Sequence, residues 1–175
     1  MPTFNLIELL NDKSLKIKVR TETLAKAVLS KKISLDELIL FARKAEASHK
    51  ATCIESLEYA TQQDATIVTD KVLKFVTEML TDDAPRVKWE SARVIGNIAH
   101  LFPTKLDKAI RNLLTNTEYD GTVVRWASAF ALGEIFKLKT KHNKELLPAF
   151  EAIIKREGDN AIKKKYLEAI KKTMK

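Results

Sequence analysis

The apolar residues of this chain recur at intervals of three and four, which is the spacing of one face of an α-helix. The stretch that ends at Met79 shows this clearly, because Val68, Val72, Phe75 and Met79 all fall on one side of a helical wheel. A turn-forming segment at 81–85 follows and closes on a proline, a residue that suits the first turn of a helix. The pattern therefore predicts one helix, a turn and a second helix.

The second helix of this pair has a near copy further along the chain. Residues 87–98 read VKWESARVIGNI and residues 124–135 read VRWASAFALGEI, so Trp89 is matched by Trp126 at a distance of 126 − 89 = 37 positions. A helical pattern that returns with a period between about 20 and 50 residues is typical of stacked helix pairs, each too small to bury its own apolar face. The copies predict an all-α solenoid.

The same spacing divides the whole chain into helix pairs. We expect a single domain over 1–175, folded as a right-handed α-α superhelix of about five pairs. The predicted repeats are approximately 1–33, 34–64, 65–102, 103–138 and 139–175.

Local signals mark some helix starts better than others. Ser34 with Glu37 three residues on forms a capping box at the start of the second repeat, and Thr104 is expected to open the first helix of the fourth. Residues 13–20 are ambiguous, because their apolar residues alternate with Lys and Arg as they do in a β-strand. The segment before Thr21 is therefore left open as helix or strand.

A turn motif accompanies the copied helices. An aspartate is followed, after three residues, by an apolar and a basic residue, and a small-residue run at 128–135 comes next in the second copy. The motif occurs as Asp83…Val87-Lys88 and Asp120…Val124-Arg125, with Asp159…Ile162-Lys163 as a shortened form.

This combination resembles HEAT repeats of the kind found in phycobilisome-lyase-like proteins. The resemblance implies that the turn aspartate and the basic residue of neighbouring units form a ladder along the stack. Lys88, Arg125 and Lys163 would then be structural residues.

The composition fits a helix-rich protein with a charged surface, with 4 Gly and 4 Pro in 175 residues and a net charge of +8. The lone Cys53 cannot form an internal disulfide, and the N-terminus lacks the pattern of a secretory signal. No apolar run approaches the ~18 residues of a membrane span. We therefore expect a cytoplasmic protein that does not engage a membrane.

The positive charge is concentrated at the two ends of the chain. Residues 1–33 carry seven basic and three acidic side chains, and residues 139–175 carry eleven and five. The lysines of the last helix are either a solvated cap on the stack or an anion-binding surface. The candidate anion-binding residues are Lys163, Lys164 and Lys171.

Signatures of catalysis are missing from the sequence. It has no glycine-rich phosphate loop, no His-Glu-x-x-His motif and no cysteine pair, and His49, His100 and His142 lack the spacing of metal ligands. No histidine is followed by glutamate, which sets the chain apart from the HEAT-repeat hydroxylases and their His-Glu iron ligands. We expect no metal, no cofactor, no small-molecule substrate and no enzymatic activity.

The candidate binding residues lie on the second helix of each pair. Positions i, i+4, i+8 and i+11 share one helical face, which we call the stripe, and in such solenoids it lines the concave wall. The positions in the stripe are Ala51, Glu55, Tyr59 and Gln62 in repeat two; Trp89, Arg93, Asn97 and His100 in repeat three; and Trp126, Phe130, Glu134 and Lys137 in repeat four. We predict that Tyr59 and the residues of repeats three and four contact a partner.

Two interpretations of the tryptophans remain open at this stage. Tryptophan with arginine is the composition of a binding hot spot, but two indoles at one repeat position are equally suited to packing between adjacent helices. Full burial would make each Trp→Ala change cost about 3–5 kcal/mol of stability.

Two functions follow from these residues. The first is a scaffold that binds an unidentified protein or peptide, and the second is nucleic-acid binding, since HEAT-like DNA alkylation-repair proteins also carry tryptophans on concave helices. Those enzymes place a catalytic aspartate one turn after a tryptophan, where this chain has Arg93 and Phe130. Glu90 is assigned to another face of its helix, so the second function is reduced to backbone binding by Arg93, Lys137 and the terminal lysines.

Overall fold

The computed structural model describes residues 3–174, and it is helical throughout with no strand in that range. Ten α-helices follow one another, joined by short turns and two single 3-10 turns. They are α1 Leu6–Asn11, α2 Ile17–Leu29, α3 Leu35–Lys44, α4 Ala47–Gln63, α5 Asp70–Met79, α6 Pro85–Ile98, α7 Asp107–Asn116, α8 Thr122–Phe136, α9 Asn143–Arg156 and α10 Asn160–Thr173. Each predicted repeat contains two of these helices. Residues 1, 2 and 175, at the ends of the first and last repeats, are outside the described part.

The helices form two layers along the stack. The even-numbered helices, here called the B helices, pack successively against one another from α2 to α10. The odd-numbered A helices cover one side of this layer and contact each other far less. The B layer is therefore where successive repeats are joined to one another. The all-α solenoid fold predicted from the copied segments is confirmed.

Glycines of the two copied helices lie where B helices cross. A Cβ placed on Gly133 would lie 3.5 Å from the Cβ of Ala169, which is an ordinary contact between α8 and α10. A Cβ on Gly96 would lie only 2.3 Å from Cε1 of Phe130, so this ring rests directly on the backbone of α6. The two glycines are equivalent in sequence, but only the first of them in the chain is required for the packing of an aromatic ring.

Ion pairs connect the basic position of one repeat to the turn of the next. The Lys50 ammonium lies 3.1 Å from Asp82, and the Arg125 guanidinium lies 3.0 Å from Glu157. Each pair spans 32 residues. Arg125 also donates to two turn carbonyls, those of residues 119 and 120. The ladder implied by the resemblance is therefore present between these repeats.

The acidic residues of this ladder differ from those expected. Asp83 and Asp120 are exposed, and the carboxylates that bind the ladder are Asp82 and Glu157. Asp159 instead caps α10 by accepting from the backbone N–H of residue 162. Asp82 and Glu157 lie one and two residues before the expected aspartates, and each is held in its turn by a hydrogen bond from the backbone N–H two residues further on.

Lys88 occupies the ladder position of α6 without a carboxylate. Its ammonium donates to the Leu80 carbonyl oxygen at 3.2 Å and lies 5.6 Å from the centre of the Tyr119 ring. The carbonyl and the aromatic face replace the acid that Asp120 was expected to supply.

Helix starts show which local signals were decisive. Ser34 caps α3, accepting from the backbone N–H of Glu37 at 3.1 Å, as predicted. Helix α7 begins at Asp107 rather than Thr104 and has no side-chain cap. Helix α2 begins at Ile17, so the strand-like alternation there was misleading. The buried residues of α2 begin at Thr21 and pack on α4, and helices in proteins owe most of their stability to packing of this kind.

Candidate functional site

The stripe is the accessible face of the central B helices. Between Trp89 and Ile98, every residue of α6 is buried except the three at stripe positions. The same holds in α8 between Trp126 and Phe136. A B helix is enclosed by its own A helix and by two neighbouring B helices, so only this one face remains open. The accessible residues are Trp89, Arg93 and Asn97 in α6 and Trp126, Phe130 and Glu134 in α8.

Aromatic rings occupy the part of the stripe nearest α10. The rings of Trp126 and Phe130 are nearly parallel, with an interplanar angle of 9° and centroids 6.0 Å apart. The Lys165 ammonium of α10 lies 5.1 Å from the centre of the Trp126 ring, within range of a cation–π contact. Two helices, α8 and α10, thus contribute to one aromatic and cationic surface.

Both tryptophans are half-buried and pack against the core with part of their surface. The sequence left packing and partner contact open as roles of these residues. The structure is compatible with both, because each ring packs against the core and still reaches solvent.

A groove of about 450 Å³ opens between α4, α6 and α8. Its exposed polar residues are Gln62 and His100, and Phe130 forms an apolar wall. The Asn97 amide is held in place, because its Nδ2 donates to the Glu58 carbonyl oxygen at 3.2 Å and to a threonine hydroxyl at 3.1 Å. The groove is lined by Thr61, Gln62, Ala65, Gly96, Asn97, His100, Phe130 and Glu134.

The remaining stripe residues are placed less uniformly. Tyr59 is half-buried on α4, and the Lys137 ammonium pairs with the Glu134 carboxylate three residues earlier in the chain. Ala51 is buried and forms no part of the open face, because its short side chain lies within the close packing of α4 on its neighbours. The lysines proposed for anion binding lie apart on α10, where Lys164 is exposed.

A buried charge cluster lies beneath the centre of the stripe. One Arg93 nitrogen lies 3.2 Å from a Glu58 carboxylate oxygen, and the other lies 3.7 Å from Oε1 of Glu90. The same Oε1 accepts a hydrogen bond from Nε1 of Trp89 at 3.0 Å. The second oxygen of Glu90 is buried and has no hydrogen-bond partner. Glu90 therefore faces α4 beneath Arg93, on the buried face of α6 and not on the stripe.

The environment of this cluster disfavours ionisation of its carboxyl groups. Burial and the nearby Glu55 carboxylate raise the pKa of Glu90 to about 7, against the opposing effect of Arg93. Burial likewise raises the pKa of Glu58, with Arg93 again opposing the shift. Two nearly buried acids share one guanidinium, so the cluster holds a proton more readily than exposed glutamates do.

The cluster escaped sequence reasoning because neither glutamate occupies a stripe position. A signal was available, since Glu58 and Glu90 interrupt the buried faces of helices whose other inward residues are small or apolar. A charged residue at such a position is rarely buried without a partner.

Groups typical of other sites are not found in the described part of the chain. Within residues 3–174, no three His, Cys, Asp or Glu side chains are grouped so that they could hold a metal ion. Every helix in the same range is too short or too polar to span a lipid bilayer.

Comparison with known proteins finds likeness in structure but not in sequence. No family model and no curated protein matches the chain. Among solved structures, a computationally designed armadillo repeat protein for modular peptide recognition superposes with a TM-score of 0.72 at 17% identity, covering 95% of this chain and 80% of that one. A designed armadillo repeat protein in complex with the peptide (KR)4 gives 0.70 at 16% identity, covering 94% and 79%.

A natural protein is similar to the same degree. The complex of CpcE and CpcF of phycocyanin lyase from Nostoc sp. PCC7120 matches with a TM-score of 0.68 at 15% identity, covering 94% of this chain and 96% of that one. At these identities the likeness concerns the fold alone, which is that of an armadillo- or HEAT-like repeat solenoid.

Proposed function

We propose that this protein is a non-catalytic binding module that takes a segment of a partner protein along the stripe of α4, α6 and α8. The observation that carries the proposal is the stacked, half-exposed pair of Trp126 and Phe130 beside the groove. Aromatic residues that are held rigidly and remain partly open lose little entropy on binding and contribute much of the energy of protein interfaces.

The form of the groove supports an extended or helical segment as ligand. The groove is open and crosses three successive B helices, so a ligand lying along the stack contacts one repeat after another. The designed armadillo proteins of similar fold include one made for modular peptide recognition and one bound to a peptide. Their likeness supports binding of a peptide segment here as well, with a ligand suited to different side chains.

Capture from a native lysate by immobilised protein tests the proposal when variants are compared. Trp126→Ala and His100→Ala alter the stripe, and Leu40→Ala alters an exposed residue on the A helix α3. We expect the protein captured by the wild type to be retained by the Leu40 variant and reduced at least about tenfold by the Trp126 variant. Circular dichroism establishes that each variant is folded.

The controls separate this function from its alternatives. Nuclease treatment of the lysate should leave capture unchanged, whereas nuclease-sensitive capture that weakens steeply with salt would indicate nucleic-acid binding instead. Equal loss of capture by the Leu40 variant and the stripe variants would reject the stripe as the binding surface.

A further inference from the structure

Charges at the centre of the stripe lie in two layers. The Arg93 side chain is 36% exposed, whereas the Glu58 and Glu90 side chains that hold it are 2% and 5% exposed. Arg86 on the same helix is likewise more exposed than its partner Glu55. A ligand approaching Arg93 therefore meets its guanidinium before it meets Glu58 or Glu90, and Lys165 adds a further cation beside Trp126.

Arg93 is bound closely by Glu58 and only loosely by Glu90. Its contact with Glu58 is close at 3.2 Å, but its contact with Glu90 is longer at 3.7 Å. The other Glu90 oxygen has no hydrogen-bond partner, although Glu90 as a whole residue is only 3% exposed. A proton on Glu90 removes an uncompensated buried charge and at the same time ends the competition of that carboxylate for Arg93.

We propose that Arg93 binds a carboxylate of an acidic partner segment, and that a proton on Glu90 releases Arg93 for this contact. The inference rests on the proposed function and adds to it the chemistry of the partner and a dependence on pH. Its basis is charge complementarity, because the open side of the cluster presents the Arg93 guanidinium while Glu58 and Glu90 are enclosed.

The charges that act on Glu90 come from two helices. Glu55 and Glu58 face it from α4 and disfavour its ionisation, while Arg93 on α6 favours it. Arg86 is engaged by Glu55 and partly neutralises that acid. With a Glu90 pKa of about 7, the protonated form is the major one slightly below neutrality and a minor one above it. An acidic ligand that requires the protonated form then binds up to about tenfold more weakly at about pH 8 than at about pH 6.

The Trp89 indole provides a direct reporter, because its N–H donates to Glu90. The indole signals of the two tryptophans are followed by nitrogen–proton correlation NMR during a pH titration, and the Trp126→Phe variant assigns them. The titration is repeated with a short oligoglutamate peptide and with an oligolysine peptide of equal length. Linkage is reciprocal, so a ligand that prefers protonated Glu90 must raise the midpoint of the Trp89 signal.

We expect oligoglutamate to raise that midpoint by about 0.5–1 pH unit and oligolysine to leave it unchanged or lower it. The Arg93→Gln variant should show no shift with oligoglutamate, and the Glu90→Gln variant should bind oligoglutamate with no dependence on pH near neutrality. A midpoint that oligoglutamate leaves unmoved, or that oligolysine raises, would overturn the inference. If the stripe variants reduce capture of a protein but oligoglutamate does not raise the Trp89 midpoint, the proposed binding function stands. The inference that the partner segment is acidic is then rejected.

Discussion

Replacing Glu90 by glutamine should stabilise the protein, although it removes a charged partner of Arg93. The amide has nearly the same shape and never ionises, so it avoids placing a charge on a buried group with an unpartnered oxygen. The pKa of Glu90 is raised from 4.5 to about 7 in the folded protein. A shift of that size corresponds to about 3 kcal/mol of folding free energy at a pH above both values.

The direction of the pH dependence follows from proton binding. Between about pH 4.5 and pH 7 the unfolded chain has lost the Glu90 proton while the folded protein retains it, so the stability contributed by this group falls as pH rises. The Glu90→Gln variant lacks this loss. The free energy of unfolding of the variant, relative to that of the wild type, should therefore be about 3 kcal/mol larger at pH ~8 than at pH ~4.5.

Urea unfolding at a series of pH values measures this difference, with circular dichroism and tryptophan fluorescence as independent probes. Glu134→Gln is the matched control, because Glu134 lies on the neighbouring B helix, half-exposed and paired with Lys137. Its effect should stay within about 0.5 kcal/mol at every pH. A Glu90→Gln variant that is less stable than the wild type at pH ~8, or whose advantage does not change with pH, would refute the reasoning.

Four further substitutions test the packing of the stack. Gly96→Ala should destabilise by about 1–3 kcal/mol, because the new Cβ would lie 2.3 Å from an aromatic ring, whereas Gly133→Ala should be neutral or stabilising in urea unfolding. Trp126→Ala should cost about 2 kcal/mol, between the values for buried and exposed rings. Arg125→Ala should cost about 3 kcal/mol at neutral pH, because it leaves the buried Glu157 carboxylate unpaired. Burial opposes ionisation of Glu157, but the hydrogen bonds from Arg125 and from the Asp159 backbone outweigh it and lower the pKa of Glu157, so this penalty should shrink in acid.

The repeat architecture was accessible from the sequence because it depends on spacing. Copies of a helix 37 residues apart predict stacked pairs whatever the details of their contacts, and the i, i+4 rule then places Trp89 and Arg93 on one face. Both predictions use only distances along the chain. The structure shows that this face is the open side of α6 and α8.

Contacts between repeats were harder to foresee, because they depend on which residue of the next helix lies opposite. The closeness of Gly96 to Phe130 requires the crossing point of α6 and α8, and two glycines that look equivalent in sequence have different neighbours. The Glu58 and Glu90 cluster likewise forms only when α4 and α6 are in register. Local alternation at residues 13–20 resembled that of a strand, although α2 begins at Ile17. Periodicity over so short a segment carries no information on the packing of the rest of the helix.

The claim that a partner lies along the stripe is tested most directly by photo-crosslinking. A photoreactive benzoylphenylalanine replaces His100, which is exposed at the edge of the groove, or Leu40, which is exposed on α3. After irradiation in a native lysate, the account predicts a discrete protein adduct from the His100 position, absent from the Leu40 position and suppressed by Trp126→Ala. An adduct from Leu40 alone, or one from His100 that Trp126→Ala leaves undiminished, would contradict it.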